Sequence, residues 1–75
     1  MLLRSDQAFW MRNFAIKQLL PQVTDRKAKS DLEFRWVQLL TQNGWTRHEI
    51  VDETGLNYHR VRRLQNRLTK KMEAK

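Results

Sequence analysis

Between residues 57 and 72 the chain carries six arginines and lysines and no acid. On a helix, where each side chain is turned by about 100° from the last, His59, Arg62, Arg63, Asn66 and Lys70 leave from one side, with Tyr58 beside them and Arg60 and Arg67 on the flank. Arginine can give two parallel hydrogen bonds to guanine O6 and N7, and asparagine an equivalent pair to adenine. Arg62, Arg63 and Asn66 are therefore of the type that distinguishes base edges. Asn57, Tyr58 and His59, at the start of the segment, are candidates for the same task. Arg60, Arg67, Lys70 and Lys71, with Thr46 and Arg47 upstream, suit phosphate oxygens, contacts that orient a protein without reporting sequence.

Such a face needs rigid support. Val61, Leu64, Leu68 and Met72 follow at steps of three, four and four, an apolar stripe opposite the cations. Asn57 is a favoured N-cap, which sets a helix over about residues 57 to 71. Upstream, Thr46 and Glu49 have the spacing of a capping box, in which the hydroxyl accepts from the Glu49 amide and the carboxylate accepts from the Thr46 amide. A short helix over about 46 to 54 follows. It stops at Gly55, where a left-handed backbone is open to glycine and costly for a residue with a β-carbon. Leu56 can then fold back as a buried plug.

Two helices around a short glycine-containing turn have the form of a helix-turn-helix. The chain resembles that superfamily over residues 46–71, about a third of its length, through Ile50 and Val51 in the first helix, Gly55 and Leu56 in the turn, and Val61 and Leu64 in the second helix. Val51 departs from the pattern, which usually has alanine there, and its extra bulk would open the helix crossing slightly. The resemblance points to no individual family. It implies that the second helix enters the major groove of double-stranded DNA. The expected function is a sequence-specific duplex DNA-binding protein, a small transcriptional regulator, specifically a repressor, of phage, plasmid or bacterial origin. The alternatives are an accessory factor for recombination, replication or partition, an RNA binder, or a protein-interaction adaptor.

The N-terminal segment, residues 1–22, has a cap at Ser5 or Asp6 and helix-forming sequence over 6 to 20, before Pro21 interrupts. Phe9, Trp10, Phe14, Ile16, Leu19 and Leu20 cover more than one helical face. One face is expected to pack inward, and another, around Phe9, Trp10 and Phe14, to join a second copy, since helix-turn-helix proteins commonly pair to match two half-sites. A further helix is expected from residue 25 or 31 to 43, with Thr24 or Ser30 as the start and Gly44 as the stop. Leu32, Trp36, Val37 and Leu40 form its inward face, beside Leu39. Phe34 lies off that stripe and is expected to face the N-terminal helix. Trp45 is placed to staple onto Val51 or the residue next to it. The fold class is then all-α, a single domain over residues 1–75 with four helices, the last three forming a trihelical unit.

Composition agrees with a polyanionic partner: 75 residues carry a formal charge of +7 and a pI near 10.6. There is no cysteine, so no disulfide framework, which fits a reducing compartment. His48 and His59 are not a helical pair at metal-ligand spacing, and no zinc site or other cofactor is expected. Neither a phosphate-cradling glycine loop nor a nucleophile with its base is present, so no enzyme is expected. The apolar start, Met1 to Leu3, is too short for a signal peptide or a membrane span, and a cytoplasmic location follows.

Overall fold

The computed structural model describes residues 7–73, apart from the side chains of 71–73. Four helices succeed one another: α1 (Gln7–Leu19), α2 (Arg26–Gln42), α3 (Arg47–Thr54) and α4 (Tyr58–Glu73), with a 3₁₀ turn over Leu20–Gln22. The fold is all-α, and no strand occurs among the described residues. The cap expected at Ser5 or Asp6, and the side chains of Lys71 and Met72, lie outside the described residues.

Local chemistry sets the boundaries. Pro21 opens the 3₁₀ turn, and the Val23 amide returns to the Leu20 carbonyl at 3.2 Å. α2 starts at neither Thr24 nor Ser30. Asp25 caps it, its carboxylate accepting from the Ala28 amide at 2.9 Å. Aspartate caps as well as serine and better than threonine, and this start leaves the Ser30 hydroxyl to accept from Arg60. The capping box of α3 forms as expected, with Glu49 N to Thr46 Oγ1 at 3.3 Å and Thr46 N to Glu49 Oε1 at 2.8 Å. Gly55 then takes φ +73°, and Gly44, past the end of α2, takes φ +85°. Both turns need the left-handed conformation that other residues adopt at a cost of roughly 1–2 kcal/mol. Leu56 is half-buried against the core, as a plug should be.

The core gathers Val37 and Leu40 from α2, Ile50 from α3, and Val61, Leu64 and Leu68 from α4. Val37, Leu40, Ile50 and Val61 have no accessible surface at all; each contributes about 1.5–3 kcal/mol by leaving water. α4 packs on both α2 and α3, and α1 packs on α2. Phe34 and Trp36, two positions apart, leave α2 roughly 200° apart; Phe34 lies beneath Arg67 of α4, whereas Trp36 donates to Asn13 of α1. α2 and α3 thus form a middle layer, with α1 on one side and α4 on the other.

Two expectations change here, and Trp45 gains partners on α1. Phe9, assigned to a subunit interface, is only 3% exposed and belongs to the core, because the inward face of α1 follows Phe9, Asn13, Ile16 and Leu20, one 3.6-residue stripe that includes a polar residue. Phe34 is buried toward α4 instead of α1, its ring covered by the Arg67 guanidinium at 4.7 Å. Trp45 meets the rings of Phe9 and Trp10, at 6.0 and 5.9 Å, so it anchors α1 to the turn before α3.

Asn13 holds the layers together. Its carbonyl oxygen accepts from Trp36 Nε1 at 2.6 Å, and its amide donates to Glu53 Oε2 at 2.9 Å. Lys17 donates to the same carboxylate oxygen at 2.7 Å. Burial works to raise the Glu53 pKa, but the hydrogen bonds from Asn13 and Lys17, with the lysine charge, outweigh it, so the carboxyl titrates below the ordinary glutamate range. No helix among the described residues is long and apolar enough to cross a membrane.

Candidate nucleic-acid interface

Val61, Leu64 and Leu68 fix the rotation of α4, and that rotation decides what faces outward. Tyr58, His59, Arg62, Arg63, Asn66, Arg67 and Lys70 are all exposed. His59, Arg62, Arg63, Asn66 and Lys70 share the outer face, as the sequence pattern places them. The helix opens with Asn57, whose side-chain oxygen accepts from the His59 amide at 2.7 Å. This carbonyl oxygen caps the helix with one of its two lone pairs, and the amide nitrogen of Asn57 has no partner among the described residues.

α3 supports one flank of α4. Arg47 donates from Nε to Gln65 Oε1 at 2.7 Å, and its guanidinium lies 5.7 Å from the centre of the Tyr58 ring. Gln65 passes the connection on, donating to Thr41 Oγ1 of α2 at 3.0 Å. Arg47 is half-buried in this arrangement, while Thr46 is exposed beside it at the start of α3. His48 and His59 bracket Tyr58, with ring centroids at 5.4 and 6.1 Å, so an aromatic cluster stands where α3 and α4 begin.

α2 supports the other flank, and here Arg60 departs from the phosphate-binding role expected of it. Arg60 donates through Nε and Nη2 to Glu33 Oε1, at 3.2 and 2.9 Å, and through Nη2 to Ser30 Oγ at 3.0 Å. Its guanidinium neutralises a carboxylate of its own chain. The reason is tertiary: Glu33 lies on the side of α2 that faces α4, and an unpaired carboxylate at 14% exposure would be costly there. Arg67 stays exposed, but its stacking on Phe34 confines its reach. Arg60, Arg63, Arg67 and Lys70 line an open groove along this flank, with Asn66 at its outer edge.

Comparison with protein-family models, curated proteins and solved structures finds no significant match. The chemistry of this surface is accordingly argued from its own residues.

Gln65 is the residue that sequence reasoning passed over. It sits in sequence between the core residue Leu64 and the outward Asn66, at the margin between the apolar stripe and the cations, where a neutral amide can both accept from Arg47 and donate to Thr41. Its position at that margin was the available signal. Three acids of α2 and α3 have other engagements: Glu33 holds Arg60, Glu49 closes the capping box, and Glu53 is turned to α1. The outer face of α4 is thus a positive, hydrogen-bond-donating strip on a supported helix.

Proposed function

We propose that the protein binds double-stranded DNA sequence-specifically, with α4 in the major groove, and serves as a small transcriptional regulator of a bacterial, phage or plasmid system that represses by occupying its site. The observation that carries this reading is the exposed strip of His59, Arg62, Arg63, Asn66 and Lys70 on a helix fastened from both flanks. Arg62, Arg63 and Asn66 meet base edges, and Lys70 and Arg67 meet phosphates. An accessory role in recombination, replication or partition would use the same contacts.

The chain acts as a homodimer through the outward face of α1. Trp10, Met11 and Phe14 are 40%, 65% and 61% exposed; Met11 and Phe14 lie on the side of α1 turned from the core, and Trp10, its ring against Phe9 and Trp45, stands at their border. With Phe9 inside the core, Met11 takes its place in this contact.

Selection of binding sites from a random duplex pool tests the reading. Arg62→Ala or Arg63→Ala should weaken binding to the selected site by ~1–3 kcal/mol and relax base preference. Lys70→Ala should weaken selected and random duplexes alike and lower the salt slope by roughly one unit. Failure to enrich any duplex, or equal loss of selectivity from all three substitutions, counts against it. The cluster of Tyr58 with His48 and His59 favours one second reading, an RNA partner whose unpaired bases stack on these rings. Competition between the selected duplex and single-stranded RNA separates the two.

A further inference from the structure

The first turn of α2 carries three exposed cations, Arg26, Lys27 and Lys29, that play no part in the fold or in the interface described so far. The bonds from Arg60 to Ser30 and Glu33 bring this end of α2 against the first turn of α4. Arg26 stands four residues before Ser30 and Lys29 four before Glu33, so each lies one turn N-terminal to a residue that faces α4, about 6 Å along the axis. Helical side chains lean toward the N-terminus, which carries both further past Arg60 in the same direction. Lys27 is turned roughly 100° from Arg26 and 160° from Lys29.

Neighbouring acids do not cancel the two charges. Glu33 is matched by Arg60, Asp31 leaves the helix roughly 140–160° away from Arg26 and Lys29, and the Asp25 carboxylate, bound to the Ala28 amide, offsets at most one of the two exposed charges. The positive band therefore does not end at the edge of α4. It runs from the outer face through Arg63 and Arg67 and continues onto α2 at Arg26 and Lys29, past the neutralised Arg60.

We infer that Arg26 and Lys29 form a second phosphate-binding surface, which grips the duplex backbone on the α2 edge of the groove while α4 occupies the groove itself. The inference rests on the duplex-binding reading above, and it assigns a task to residues which that reading leaves idle. It also explains why Arg60 can be engaged internally: the latch to Ser30 and Glu33 holds two other cations in register with α4. Arg60 is a positioning residue on this account.

The test compares two double variants of the full chain on the pool-selected duplex and on a random one. Arg26→Ala with Lys29→Ala should lower the slope of log affinity against log salt by about 1.8, at about 0.9 for each phosphate no longer neutralised, equally on both duplexes and with base preference unchanged. Between 50 and 200 mM salt this corresponds to a loss of affinity roughly tenfold smaller than that of the unaltered chain. The control removes two other exposed cations, Arg12 and Arg35, which flank the groove between α1 and α2. It should change the slope by less than about half a unit, the part due to overall charge. Arg26→Lys with Lys29→Arg keeps both charges and should restore the slope.

A slope for the Arg26 and Lys29 variant that matches the control, with binding otherwise intact, overturns the second surface and leaves the recognition helix standing. A change in base preference without a change in slope overturns it as well, since the two residues would then meet bases. An unaltered chain that binds neither duplex removes the reading on which the inference rests, and the two failures are thereby distinguished. Melting temperatures of all variants should coincide within roughly 3 °C, because the substituted side chains are exposed.

Discussion

α4 keeps Val61, Leu64 and Leu68 inside and turns cations, polar groups and one tyrosine outward, whereas α1 keeps an asparagine inside and turns Trp10, Met11 and Phe14 out. Both helices are outer layers on the same α2–α3 pair, so the contrast does not come from different surroundings. α4 is held by apolar contact, which is strong but indifferent to direction, and latches at Gln65 and Arg60 set its flanks. α1 adds to the apolar contacts of Phe9, Ile16 and Leu20 a set of directional bonds at Asn13, which specify one docking geometry. A chain of 75 residues has little apolar surface in excess of what its core needs. Met11 and Phe14, the most exposed of the large apolar side chains on α1, are thus a cost to the monomer, and burial against a second copy would lower it.

The strongest way to break the contrast is through stability. Leu64→Ala should cost ~2–5 kcal/mol, the ordinary effect of a cavity in a close-packed core. Asn13→Ala should cost ~1–3 kcal/mol for a different reason: it strands the buried Trp36 Nε1 donor and removes one of the two bonds to Glu53. A chemical melt in which Asn13→Ala is neutral would show that α1 docks by its apolar residues like α4, and the comparison would fail.

Phe14→Glu addresses the outward side of α1. Because Phe14 is exposed, the melt of the isolated monomer should move by no more than about 0.5 kcal/mol, while light scattering should report a dimer for the unaltered chain and a monomer for the variant. An unaltered chain that is monomeric, both free and on its selected duplex, sinks the dimer. Removing α1 altogether is the wrong test, since it would also take Phe9 and Leu20 from the core and the acceptor from Trp36.

Much of the α3–turn–α4 region was legible in the sequence because its determinants are local. The Thr46–Glu49 capping box, the left-handed Gly55 and the Val61, Leu64 and Leu68 spacing each act within a few residues, and each is found where its chemistry puts it. The outward set on α4 follows from that spacing alone. α1 was less legible because hydropathy misreads its inward face: Asn13 looks like a surface residue and Phe9 like one of several exposed aromatics, while Trp10 and Phe14 are exposed as expected. The start of α2 was open because Thr24, Asp25 and Ser30 are all competent caps. The engagement of Arg60 could not be foreseen, since Glu33 stands 27 positions away and only the tertiary crossing of α2 and α4 joins them.

The smallest effect sharpens the Asn13 node. Glu53 has a depressed pKa in the folded chain, so its contribution to stability is fully present above the ordinary glutamate range and is lost as pH falls through the folded value. Glu53→Gln keeps an acceptor for Asn13 and removes the charge facing Lys17. It should cost about 0.2–1 kcal/mol at neutral pH, since Lys17 is 45% exposed. The gap between variant and parent should close on acidification; a gap constant across the titration would place the contribution outside the carboxylate charge.

On α4, the side chains that face outward are not the ones that hold the helix. Val61, Leu64, Leu68, Gln65 and Arg60 secure it, and His59, Arg62, Arg63 and Asn66 project from it without entering the core. Preference for a target could then drift, or be redesigned, by exchanging those four residues while the melting curve stays nearly fixed. If α4 reads duplex DNA as proposed, such a scaffold separates the evolution of its specificity from the upkeep of its fold, and a library confined to four codons would sample new targets with few misfolded chains.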